Sequence, residues 1–139
     1  MDDQAFLQAL ESRALPVSEF NHQAHLLAAW AYCRRYPGRE AAARCAYSLS
    51  RYAMAMGVAD KYHHTLTMAI LAILYSRVVD HPELRDDWDA FCAACPDIVD
   101  DARGVVLAYY SEERLDNDSA RRAFVEPDIQ PLPTGGLLH

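Results

Sequence analysis

The sequence predicts an all-α fold: a single compact bundle of about five to seven helices wrapped around one central apolar helix at 58–79. Three observations predict it. The stretch Leu66 to Tyr75 (L-T-M-A-I-L-A-I-L-Y) carries no charge and is apolar on almost every side, the pattern of a helix enclosed by others. The flanking segments repeat apolar residues at i, i+3, i+4 and i+7, the spacing of one helical face. No run alternates as a half-buried strand would.

Taken in order, Asp2 to Arg13 sets Phe6, Leu7 and Leu10 on one side with acids at its start, and Pro16 ends it. Ser18 or Asn21 is the expected cap of a second helix that runs to about Tyr36, where Pro37-Gly38 stops it. On that helix His22, His25, Leu26, Ala29, Tyr32, Cys33 and Tyr36 share one stripe, so both histidines are expected to face inward. Arg39 to Met56 follows in clean register and reads as a plain packing helix, with Gly57 as its C-cap. The central helix is expected to be capped by Asp60, with His63, Leu66, Thr67, Ile70, Leu74 and Arg77 along one stripe and His64 about 100° away.

His81-Pro82 then breaks the chain, and Glu83 to Cys95 forms a fifth helix closed by Pro96. Asp97 to Tyr110 reads as a sixth, weakened by Gly104 and by Val105-Val106. Ser111 opens one more turn, and Asp118 or Ser119 is the expected cap of a short segment ending near Phe124. Residues 1–124 therefore form the helical unit. Residues 125–139, with three prolines and two glycines, form an extended tail that packs on the bundle or trails from it.

A formal charge of −7 over 139 residues repels phosphate backbones and anionic lipid, which argues against a nucleic-acid partner. No apolar run reaches the ~20 residues of a membrane span. The amino terminus is acidic where a signal peptide is basic, so a cytoplasmic protein is expected. Cys33, Cys45, Cys92 and Cys95 lack the spacing of a disulfide framework and are expected as reduced thiols. Cys92-x-x-Cys95 lies at the end of a helix, where the dipole does not lower a thiol pKa, and reads as a buried pair.

The histidines carry the functional expectation. Short connections make the second, third and fourth helices run up, down and up, so the second and fourth begin at a common end. His22 and His25 then meet His63 at one depth. Burial and a helix N-terminus both favour the neutral imidazole, which is the form a metal ligand or general base requires. Two imidazoles at i and i+3 plus one from a neighbouring helix suit Zn, Fe, Cu or Ni with a position left open, Glu19, Asp97, Glu126 or Asp128 being fourth or outer partners. Lys61 and Arg114 are the cations expected to orient an anionic substrate, with hydroxyls from Tyr62, Thr67 or Tyr110. His64, His81, Trp30 and Tyr109 are read as packing or surface residues.

Four stretches carry a resemblance: Phe20 to Leu26 (F-x-H-x-x-H-L), Lys61 to Thr65 (K-Y-H-x-T), Tyr109 to Leu115 (Y-Y-S-x-E-R-L) and Val125 to Asp128 (V-E-P-D). On these the chain resembles an uncharacterised family of small bacterial all-helical proteins. The resemblance marks His22, His25, Lys61, His63, Ser111 and Arg114 and implies no particular activity. The expectation is therefore a metal-binding enzyme acting on a small anionic molecule, with His22, His25 and His63 as ligands and His63, Lys61 and Arg114 as catalytic groups. Its rivals are a metal-free acid–base lyase, isomerase or cyclase, and a non-catalytic ligand-binding or interaction module. The sequence leaves homo-oligomer formation open.

Overall fold

A computed structural model gives the structure of residues 2–133. Helix α1 (Asp3–Glu11) starts where the Asp2 carboxylate accepts the Ala5 N–H at 2.8 Å, and it buries Phe6, Leu7 and Leu10. It ends in a left-handed residue that is not glycine: Arg13 has φ 65°. The chain turns there because Ala14 N–H reaches back to the Ala9 carbonyl at 2.8 Å.

Helix α2 (His22–Arg35) is capped by Asn21, whose side chain accepts the Ala24 N–H at 3.0 Å. Helix α3 (Gly38–Ala55) closes through Gly57 at φ 73°, with Val58 N–H on the Ala53 carbonyl at 2.8 Å. A glycine adopts that left-handed turn without steric cost. Alanines Ala28, Ala29, Ala31, Ala41 and Ala42 are buried and let these two helices approach closely.

The central helix α4 (His64–Asp80) buries Thr65, Thr67 and every residue from Ala69 to Leu74, and it packs against α2, α3 and the helices Pro96–Val106 and Asp118–Arg122. Each large aliphatic side chain enclosed there contributes about 1.5–3 kcal/mol relative to exposure. The helix is shorter than the span 58–79. Ala59–Lys61 form a single 3-10 turn, and the cap is His63, not Asp60: its Nδ1 accepts the Leu66 N–H at 3.1 Å. Asp60 is one turn too early once residues 59–61 tighten.

The next two expected helices are also divided. Pro82–Arg85 make a 3-10 turn, and α5 (Trp88–Ala94) begins only after Asp87, whose carboxylate accepts the N–H groups of Asp89 and Ala90. Trp30 fixes that turn by donating its indole N–H to the Leu84 carbonyl at 2.8 Å. Helix α6 (Pro96–Val106) kinks at Asp101 (φ −155°, ψ 73°), where the carboxylate accepts the Gly104 N–H at 3.0 Å and acts as an internal cap. A Cβ on Gly104 would collide with that carboxylate. Helix α7 (Glu112–Leu115) is capped by Ser111, and α8 (Asp118–Arg122) by Asn117 rather than Asp118 or Ser119.

Among the described residues the chain is all-helical, with eight α-helices and no strand. One cluster of buried side chains runs from Phe6 through α4 to Leu132. The segment after α8 is held by specific bonds. Tyr110 donates its hydroxyl to the Val125 carbonyl at 2.6 Å, Thr65 Oγ1 accepts the Val125 N–H at 3.1 Å, and Ile129 N–H reaches the Tyr109 carbonyl at 3.0 Å. Residues 134–139 of the expected tail, His139 included, lie outside the described residues.

Candidate functional site

A cavity of about 340 Å³ opens between α2, α3 and α4. Its floor is apolar, built by Phe20, Ala29, Cys45, Leu49, Leu66 and Ile70. Its polar wall is His22, His25, Lys61, His63 and Thr67, with Asn21 at the rim. The starts of α2 and α4 thus face one space, and three of the chain's six histidines line it. That composition, a mostly apolar enclosure with a few convergent polar groups, is typical of small-molecule sites.

Hydrogen bonding gives each imidazole a different state. His63 has no nitrogen left: Nδ1 accepts the Leu66 N–H, so Nε2 carries the proton and donates it to the Leu115 carbonyl at 2.9 Å. His22 is an exposed tie between helices, its Nε2–H shared between the carbonyls of Ile98 at 3.3 Å and Val99 at 3.1 Å. His25 donates from Nδ1 to the Asn21 carbonyl at 2.8 Å, four residues back in its own helix. Its Nε2 therefore bears a free lone pair. That atom is shut off from solvent and has no hydrogen-bond partner.

Several forces hold His25 neutral. Burial lowers its pKa below the ordinary histidine value, and the charges of His22 and Lys61 act in the same direction. The Asn21 carbonyl and the nearby Lys61 backbone partly offset this, although the Lys61 backbone falls short of hydrogen-bond geometry with the ring. Phe20 packs on one side of the imidazole, ring centroids 4.5 Å apart, and Tyr52 backs Phe20 at the same distance. Burial also depresses His63 and His64. His64 points elsewhere and pairs its Nδ1 with the Tyr62 hydroxyl at 2.7 Å.

Among the described residues no three His, Cys, Asp or Glu side chains are grouped to hold a metal ion. For the set His22, His25 and His63 the reason is visible in the bonds: His63 has spent both nitrogens on the backbone, and His22 has spent Nε2. The candidate fourth partners are engaged elsewhere or exposed. Asp97 makes a two-pronged pair with Arg77, both distances 2.7 Å; Asp128 accepts the N–H and hydroxyl of Ser111; Glu19 is exposed. Arg114 does not line the cavity. Its guanidinium donates to the Glu126 carbonyl at 2.9 Å, fastening the tail. Tyr110 is likewise committed to Val125, and Tyr62 to His64.

No family model, curated protein or solved structure matches this chain. Two contributors had no sequence signal. Cys45 and Leu49 come from α3, whose periodicity marks only packing, and the unpartnered state of His25 Nε2 depends on where Asn21, Phe20 and Lys61 end up in space. Cys45 is an inert wall rather than a nucleophile, since complete burial pushes its thiol pKa well up.

Proposed function

We propose that the chain binds a small, largely apolar molecule bearing an anionic group, and moves a proton on it with His25 as the base. One observation carries this reading: on the His25 ring, which lines the cavity of about 340 Å³ and is held neutral by burial, Nε2 is enclosed and has no hydrogen-bond partner. An orphaned buried acceptor costs roughly 1–3 kcal/mol, a cost a ligand N–H, O–H or activated C–H would offset. The apolar body of the ligand fills the space over Leu49, Leu66 and Ile70, and its anionic end meets the Lys61 ammonium at the exposed rim.

The chemistry follows from those positions. Nε2 takes a proton from the substrate, Nδ1–H stays on the Asn21 carbonyl, and the negative charge left on the substrate is stabilised by Lys61. The imidazolium then returns the proton to another substrate atom, the pattern of a lyase, isomerase or cyclase. The low proton affinity of His25 makes it a base that is fully available near neutral pH.

Nitrogen-15 spectra of the histidine rings test the first half: His25 is expected as the neutral Nδ1–H tautomer at pH 7. Screening of aromatic and aliphatic acids by NMR tests the second, with H25A expected to lose binding while keeping the wild-type melting temperature. Equal binding by H25A, or no acid that perturbs His25, overturns the proposal. The metal-dependent form, with His22, His25 and His63 as ligands, requires His63 to give up its cap or its link to Leu115. Elemental analysis of untagged protein separates the two forms, an equivalent of bound Zn, Fe, Cu or Ni favouring the latter.

A further inference from the structure

On the far side of α3, a second cavity of about 360 Å³ is lined by Arg13, Arg44 and Arg51 together with Glu11, Ser48 and Tyr47. Three arginines line it in a chain whose formal charge is −7. Arg44 is partly engaged, donating to Glu40 at 2.8 Å and lying over the Tyr36 ring at 4.2 Å. Arg51 lies over the Tyr47 ring at 5.2 Å, which orients its fork without neutralising it. Among the described residues no carboxylate lies within salt-bridge distance of Arg13 or Arg51.

Backbone geometry adds an independent observation. Arg13 is the only non-glycine residue with positive φ among the described residues, and it sits at a helix end where glycine would be free of strain. A left-handed conformation costs an ordinary side chain about 1–2 kcal/mol. The turn that ends α1 holds this conformation through the Ala14 N–H, and so fixes where the Arg13 side chain leaves the helix end. The wall beside it is preorganised: the buried Tyr32 hydroxyl is held 2.7 Å from both Glu11 Oε2 and Ser48 Oγ. That network fixes one carboxylate and one hydroxyl facing the same space as the arginines.

We infer that this cavity is a binding site for a small phosphorylated hydroxy compound, separate from the histidine pocket. Two uncommitted guanidinium forks match the several terminal oxygens of a phosphate, with Arg44 as a third donor, while Glu11 and Ser48 meet hydroxyl groups of the same molecule. A monocarboxylate brings one negative charge and two oxygens, whereas a phosphate monoester brings nearly two charges and three terminal oxygens for the three arginines, so phosphate is the favoured class.

Titration with inorganic phosphate, followed through the arginine Nε–H resonances at constant ionic strength, tests the assignment. Saturable shifts at Arg13, Arg44 and Arg51, with a Kd on the order of 1 mM or tighter, are expected, and acetate should bind at least about tenfold more weakly. R13G should weaken phosphate roughly tenfold while leaving the melting temperature unchanged or higher, because glycine relieves the left-handed strain. R51Q, on the exposed face of α3, is the second variant and should weaken phosphate similarly. The inference is overturned by non-saturable or absent shifts, by acetate binding as tightly as phosphate, or by full phosphate affinity in R13G and R51Q.

Discussion

The imidazole of His63 accepts the Leu66 N–H on one edge and donates to the Leu115 carbonyl, 2.9 Å away, on the other. One side chain thereby starts α4 and ties it to α7, which itself carries the latch for the C-terminal segment. A histidine so placed is a joint between elements as much as a wall of the cavity.

Replacing it should be costly in stability. H63A removes an N-cap and leaves the Leu115 carbonyl unpaired, for a loss of about 1–3 kcal/mol in urea denaturation. H63N restores the cap but not the reach to Leu115, so its loss should be roughly half as large. Equal stability of H63A and wild type would contradict the joint.

Acid should unfold the protein through its histidines first. His25, His63 and His64 all have folded pKa values below the ordinary 6.5, so the unfolded chain binds more protons as pH falls through that value. Their contribution to stability is complete above pH 6.5 and is lost progressively below it. Asp3, Asp97 and Asp128 are depressed as well, but their contribution is lost only as pH falls below the carboxylate value of 3.8. Denaturation midpoints should therefore decline between pH 7 and 5, before these three aspartates titrate. A flat profile there would contradict the assignment.

Lys61 and His25 are coupled in a signed way. The ammonium lowers the proton affinity of the imidazole, so K61M should raise the His25 pKa toward 6.5 while weakening an anionic ligand roughly tenfold. Two-dimensional NMR against pH measures the first effect and ligand titration the second. Activity, once a substrate is known, should rise with pH through the His25 pKa and then level off, and the level portion should begin at higher pH in K61M.

Arg114 and Asp128 should behave as fasteners. R114A and D128A remove the bonds that hold the segment after α8, and each is expected to speed hydrogen exchange at Val125 and Ile129. Neither should change ligand affinity at the histidine cavity by more than about threefold, a shift under 1 kcal/mol. A larger loss of affinity in R114A would return this residue to the site.

Gly104 and Asp101 should be non-additive. G104A forces the Asp101 carboxylate off its internal cap and should cost about 1–2 kcal/mol. In D101A the obstacle is already gone, so adding G104A there should cost less, or even gain from alanine's better helix propensity. Full additivity in the double-mutant cycle would show that the clash has no energetic weight.

The helical character of the chain, the uncharged stretch at its centre and the Gly57 turn were legible in the residues, because each depends on periodicity or on one residue's local chemistry, while the choice of Asn21 over Ser18 as the α2 cap needed the fold. The sequence also placed His22, His25, Lys61 and His63 at helix starts, which is why they share a cavity. Tertiary structure alone decided what each can do. The carbonyls of Leu115, Ile98 and Val99 arrive from elements tens of residues away and occupy His63 and His22, while the Lys61 backbone comes near the His25 ring without completing a hydrogen bond to Nε2. Arg114, Tyr110 and Asp128 were likewise drawn away by the C-terminal segment. A motif records which side chains are present, but their free lone pairs and protons depend on backbone groups that only the folded chain brings within hydrogen-bond reach.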